Sequence, residues 1–193
     1  MEIMKSDIKK AIEVLSNGGI VIYPTDTAFG IGCRIDDCQA VDRLFEIRRR
    51  PRTQATPVLV SSKEMALAHF LSPSKIVRRL MDTYWPGALT IVVPCNKELV
   101  YSPIRGNGDT IGLRMPNHPD ALYVIEGVGV PILGPSANFH GGKTPYRFSD
   151  LDPELLQLVD FVVPGDCTLK QPSTVVDCSV HPYRIIRQGA VDL

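Results

Sequence analysis

Short apolar runs at residues 20–23, 89–93 and 130–133 constrain this chain most. They are too short for helices and do not alternate with polar residues, the pattern of strands covered on both faces. Between them lie stretches with helical periodicity. Ser6 or Asp7 is placed to cap a first helix with Ile8, Ala11, Ile12 and Leu15 inward, closed by Asn17-Gly18-Gly19. Asp36 or Asp37 opens a second, with Ala40, Val41, Leu44, Phe45 and Ile47 inward, which runs into Arg48-Arg49-Arg50 and stops at Pro51. Ser72-Pro73 reads as the cap of another through Tyr84, His118-Pro119 opens one to Ile125, and Asp152-Pro153 a weak one. Further strands are expected at 57–60, 110–115, 161–163, 174–176 and 184–186. Strands alternating with helices imply an α/β fold with a mixed sheet. Residues 94–109, with Pro94, Pro103, Gly106 and Gly108, read as a long loop of the functional or mobile kind.

A length of 193 residues, 44% of them hydrophobic, suits one domain, expected to span 1–193 with no additional C-terminal domain. Basic and acidic residues number 21 each, so net charge gives no argument for a nucleic-acid or membrane partner, and any such site must be a local patch. The N-terminus has no apolar leader and no run reaches the length of a membrane span, which points to a cytoplasmic protein. Five cysteines, Cys33, Cys38, Cys95, Cys167 and Cys178, show no C-x-x-C pair and read as reduced thiols. Cys33 has no dedicated histidine that would make it a nucleophile, and His69, His118, His140 and His181 lack metal-ligand spacing.

Chemistry concentrates at strand ends. Pro24 cannot extend a central strand, so Thr25 and Thr27 are presented at the carboxyl end of the 20–23 run, where open α/β sheets bind ligands. The plain alternative is a polar turn. Arg48, Arg49, Arg50 and Arg52 crowd four cations together, either as a solvated helix end or as a group that a polyanion such as triphosphate would relieve. Alternation puts Thr110, Gly112 and Arg114 on one face, and a buried guanidinium there needs an anion. Ser136-Ala137-Asn138 follows another strand. Residues 137–144 fall one glycine short of a phosphate-binding P-loop and lack the helix after it, so that reading is rejected, although a phosphate contact by the loop is not.

Taken in order, Y-P-T-D-T-x-x-G-x-G, R-x-R-P, W-P-G-x-L-T, T-x-x-x-R-x-P-x-H-P, P-S-A-N-x-x-G, S-T-V-V-D and R-x-G resemble the YrdC-like family of L-threonylcarbamoyladenylate synthases, from Gly19 to Gly189. The resemblance implies a twisted open mixed sheet with flanking helices and a concave, positively lined groove. It implies that L-threonine, bicarbonate or CO2 and ATP, with Mg²⁺, give threonylcarbamoyl-AMP and pyrophosphate. That product feeds tRNA threonylcarbamoyladenosine modification by a separate transferase complex. Position by position, Thr27, Arg114, Ser136 and Ser173 resemble L-threonine contacts. Arg50, Gln54, Thr110, Asn138, Tyr146 and Arg187 resemble ATP contacts, and Arg48 and Arg50 the catalytic cations. The family usually has Lys at position 48, Lys or Asn at 54 and Thr at 146, and a His common in one branch falls near Leu59. The reaction needs no enzyme nucleophile, because threonine's amine and then its carbamate oxygen attack; charge neutralisation and alignment suffice. The alternative from another class is a double-stranded RNA or tRNA binder that uses the same cations without synthase activity.

Overall fold

The computed structural model describes residues 2–193. The elements in chain order are α1 (Glu2–Ser16), β1 (Val21–Tyr23), β2 (Gly30–Gly32), α2 (Cys38–Ile47), β3 (Val58–Leu59), α3 (Lys63–His69), α4 (Lys75–Tyr84), β4 (Leu89–Pro94), β5 (Thr110–Arg114), α5 (Pro119–Val128), β6 (Ile132–Leu133), α6 (Pro153–Leu158), β7 (Phe161–Val162), β8 (Thr174–Asp177) and β9 (Arg184–Arg187). The α/β class and the mixed pairing follow the sequence reading. The strands divide into a three-stranded sheet, β2-β1-β7, and a six-stranded sheet, β6-β3-β5-β4-β8-β9. In the larger one β5 runs parallel to β3 and antiparallel to β4, and β8 runs parallel to β4 and antiparallel to β9. No helix among the described residues is long and apolar enough to cross a membrane.

Local chemistry explains most boundaries. Asp37 caps α2 by accepting from the Gln39 and Ala40 amides, and Ala40, Val41, Leu44 and Phe45 are buried beneath it. Two expected caps are corrected. Ser6 and Asp7 lie inside α1, which begins upstream of them. The cap of α4 is Ser74, whose hydroxyl accepts from Val77 N, whereas Ser72 sits in the left-handed region at φ 49°. α3 and its cap Ser62, and the strand β2, were not foreseen. β2 carries the two glycines of G-x-G. A Cβ on Gly32 would lie 2.2 Å from the Leu133 carbonyl, so that glycine serves close strand packing. Gly127 does the same for α5 against α1, where a Cβ would lie 2.3 Å from Ile12. The 94–109 segment is anchored: Val100 and Ile104 are buried, and the Ile104 carbonyl accepts from Thr56 N at 2.9 Å.

One face of the larger sheet, through Ile91, Val93, Ile111, Leu113 and Val176, joins the main core with α2 and α4. The other face, with Thr90, Val92, Thr110, Gly112 and Val175, floors an open cavity. β4, β5 and β8 are therefore covered on one face only, and the absence of polar alternation at Val92 reflects an apolar cavity floor, whereas β1 and β6 bury residues on both faces, as their apolar runs imply. The two sheets meet where β2 runs beside β6 and the segment after it. Ile31 N donates to Pro135 O at 3.0 Å, Leu133 N to Cys33 O at 2.9 Å, and Gly30 bridges Ser136. Tyr23 braces this seam by donating its hydroxyl to Leu133 O at 2.6 Å, and burial pushes its pKa upward so that the proton stays.

Candidate active site

Two adjoining cavities, which share four lining residues, open along the seam. The smaller, about 90 Å³, is lined by Thr25, Thr27, Arg114 and Ser173 among others. The larger, about 440 Å³, is lined by Arg48, Arg50, Thr56, Thr110, Val175 and Ile186 among others. Pro57, Thr90, Ser136 and Arg187 line both.

Pro24 ends β1, and the following turn folds back on itself. The Thr25 hydroxyl donates to Ala28 O at 2.7 Å and accepts from the Thr27 and Ala28 amides at 3.2 Å. Arg114, at the end of β5, reaches this turn. Its Nη2 donates to Thr27 Oγ1 at 3.0 Å and to Thr25 Oγ1 at 3.3 Å, and its Nη1 to Asp26 Oδ1 at 2.5 Å. The guanidinium the alternation pointed to is thus buried and has its anion, but that anion is Asp26, which sequence reasoning passed over. Asp26 is 2% exposed, and its Oδ2 has no partner. Across the small cavity, Ser173 Oγ lies 2.8 Å from Thr90 Oγ1 and accepts from Arg187 Nη2 at 3.0 Å, while Ser173 O accepts from Arg187 Nε at 3.0 Å. Thr90 was also missed. Its signal was a lone hydroxyl in the otherwise apolar 89–93 run.

The arginine run splits. Arg48 ends α2 and turns inward; it is 3% exposed, its Nε donates to Asn138 O at 3.1 Å, and its Nη1 has no partner. Burial, then Arg50, lower its pKa to about 10, so the protein itself stabilises its charge poorly. Arg49, at φ 53°, turns outward to pair with Glu154 and stacks over Phe139 at 4.2 Å. Arg50 returns to the cavity, held by Nε to Gln54 O at 3.2 Å, and burial lowers its pKa. Arg52 pairs outside with Asp42 at 2.9 Å and Glu46 at 3.7 Å. The four cations are therefore two inward and two outward, and each outward one has an acidic partner. Among the described residues, Arg48, Arg50 and Arg187 form no ion pair.

The remaining expected residues fall as follows. Ser136 lies between the cavities and donates to Asn138 Oδ1 at 2.5 Å. Asn138 turns its amide to Phe139 O and Gly142 O, so its side chain orders its own loop. The Gln54 side chain is exposed, and only its carbonyl meets Arg50. Thr110 lies on the floor of the larger cavity. Tyr146 is half-buried and close enough to oppose the lowering of the Arg187 pKa by burial and Arg114. Cys33 is fully buried, and burial pushes its thiol pKa up, so it offers no nucleophile.

Residues 13–189 match the profile of the family Sua5_yciO_yrdC, described as "Telomere recombination". The chain belongs to the Sua5/YciO/YrdC family. Its relatives include the threonylcarbamoyl-AMP synthase of Bacillus subtilis, 31% identical over 95% of this chain and 54% of that protein. They also include the uncharacterized protein YciO of Escherichia coli, 29% identical over 96% and 90%. Among solved structures, Sua5 of Pyrococcus abyssi complexed with L-threonine superposes with a TM-score of 0.90 at 31% identity, over 94% of this chain and 54% of that one. The chain thus spans about half the length of the Bacillus and Pyrococcus proteins and nine-tenths of YciO. The open mixed α/β architecture is that of Sua5/YciO/YrdC proteins.

Proposed function

We propose that this chain is an L-threonylcarbamoyladenylate synthase, joining L-threonine, bicarbonate or CO2 and ATP into threonylcarbamoyl-AMP and pyrophosphate. The observation that carries the reading is the pair of adjoining cavities: a small one lined by hydroxyls and Arg114, sharing four lining residues with a larger one whose three cations lack carboxylate partners among the described residues. A space of about 90 Å³, roughly seven water-sized positions, suits an amino acid, and about 440 Å³ lies in the range of a nucleotide-sized ligand. The named function of the relatives and the L-threonine in the Pyrococcus structure point the same way.

In this reading threonine's carboxylate shares the Nη2 edge of Arg114 with Thr25 and Thr27, and Ser173 faces the other side. The amine then points to the junction of the cavities, where it takes up the one-carbon unit as a carbamate. A carbamate oxygen attacks the α-phosphorus; the bond to the bridging oxygen breaks, and its electron pair leaves with pyrophosphate. Arg48 and Arg50 neutralise charge on that leaving group, the largest contribution the protein makes. Thr110 and the apolar wall of Val92, Val175 and Ile186 carry the nucleoside, and Asn138 positions Ser136 and, through its carbonyl, Arg48. No group of three or more metal-ligating side chains occurs among the described residues. Mg²⁺ would therefore come with ATP rather than be held by side chains, and would supply further charge neutralisation on the phosphates. The product would pass to a transferase complex that modifies tRNA, in the cytoplasm. No observation favours the RNA-binding alternative, because Arg49 and Arg52 are already paired.

The test is pyrophosphate release with each substrate omitted in turn. Release only with ATP, L-threonine and bicarbonate together is expected. Release indifferent to threonine would leave a nucleotidase and overturn the assignment.

A further inference from the structure

We infer that Arg187 forms an oxyanion subsite for the one-carbon substrate, holding bicarbonate and then the carbamate made from it. The inference rests on the synthase reading and deepens it. In the synthase reading the carbamate carbon, supplied by bicarbonate, must lie between threonine's nitrogen and the α-phosphorus, which is the junction of the two cavities. Four residues line both: Pro57, Thr90, Ser136 and Arg187. Arg187 is the one cation among them.

Its fork is fixed along one edge. Nε donates to Ser173 O and Nη2 to Ser173 Oγ, each at 3.0 Å, and Thr90 holds Ser173 Oγ in turn at 2.8 Å. No bond within the protein engages Nη1 among the described residues, and no carboxylate pairs with the group. Burial and the neighbouring Arg114 both disfavour its charge, and a bound anion would relieve this. A planar guanidinium with one free edge suits a planar carbonate-type oxyanion. Thr90 Oγ1 and Ser136 Oγ add hydroxyls at the same junction.

The step balances. Threonine's ammonium and bicarbonate give the carbamate, one water and one proton; the nitrogen–carbon bond forms as a carbon–oxygen bond breaks with loss of water. The product carries two negative charges, its α-carboxylate facing Arg114 and its carbamate facing Arg187. The pocket therefore favours the carbamate over the neutral zwitterion that precedes it.

The experiment is pyrophosphate release in CO2-depleted buffer, titrating bicarbonate at saturating ATP and threonine, for the wild type, Arg187→Gln and Arg187→Lys. Arg187→Gln should raise the KM for bicarbonate by about tenfold or more, as loss of one charge-assisted contact does. Turnover at saturating bicarbonate should largely recover, the KM for ATP and threonine should change little, and Arg187→Lys should be intermediate. A raised KM for ATP with that for bicarbonate unchanged would overturn the inference and return Arg187 to the nucleotide. A parallel rise in all three constants in both variants would overturn it in favour of a structural role. Failure of the synthase reading looks different: the wild type itself would release no pyrophosphate at any bicarbonate concentration, or release it without threonine and bicarbonate, and the subsite would fall with it.

Discussion

Replacing Arg114 by alanine should damage folding and threonine recognition together, and the two can be separated. Asp26 is 2% exposed, its Oδ1 has Arg114 as its partner at 2.5 Å, and its Oδ2 has none. Removing Arg114 strands a buried carboxylate, which costs about 3–5 kcal/mol. For a chain of this size that lowers Tm by roughly 6–20 °C, a large share of a total stability of about 5–15 kcal/mol. Asp26→Ala/Arg114→Ala removes both charges, so its loss should fall short of the sum of the single losses by about 1–3 kcal/mol. Urea unfolding of the four proteins measures that coupling. Calorimetry of the double variant then reads recognition alone: ATP binding should persist and L-threonine binding should be lost. Additive stability losses would refute the buried pair, and retained threonine binding would refute Arg114 as the carboxylate's partner.

Arg48→Ala should lower turnover by about 10²–10³-fold; Arg48→Lys should keep most of it. Normal turnover in Arg48→Ala would reduce Arg48 to a helix terminus. Arg49→Ala and Arg52→Ala should each leave pyrophosphate release within about twofold, since both side chains point outward to acidic partners worth little at a surface; a strong loss in either would mean that the outer cations serve the site.

The sequence was most legible where one short-range rule dominates. The period of two placed Thr110, Gly112 and Arg114 on the cavity side of β5, and Pro24 put the threonine turn at a strand end. It was least legible where the deciding neighbour is remote. Asp26 meets Arg114 only after folding brings residues 88 positions apart together. The direction of each arginine in the run depends on the backbone after Ile47, where Arg48 stays helical and Arg49 turns left-handed, and charge spacing carries no trace of that. The glycines of G-x-G stood in the sequence only as part of a motif, and the contact that requires Gly32 is the Leu133 carbonyl in another strand.

The most direct measurement is mass spectrometry of the nucleotide formed from ATP, L-threonine and carbon-13 bicarbonate. Threonylcarbamoyl-AMP carrying the label is expected, in step with pyrophosphate and absent when threonine is left out. AMP or ADP as the sole nucleotide product, with the label still in bicarbonate, would contradict the synthase reading.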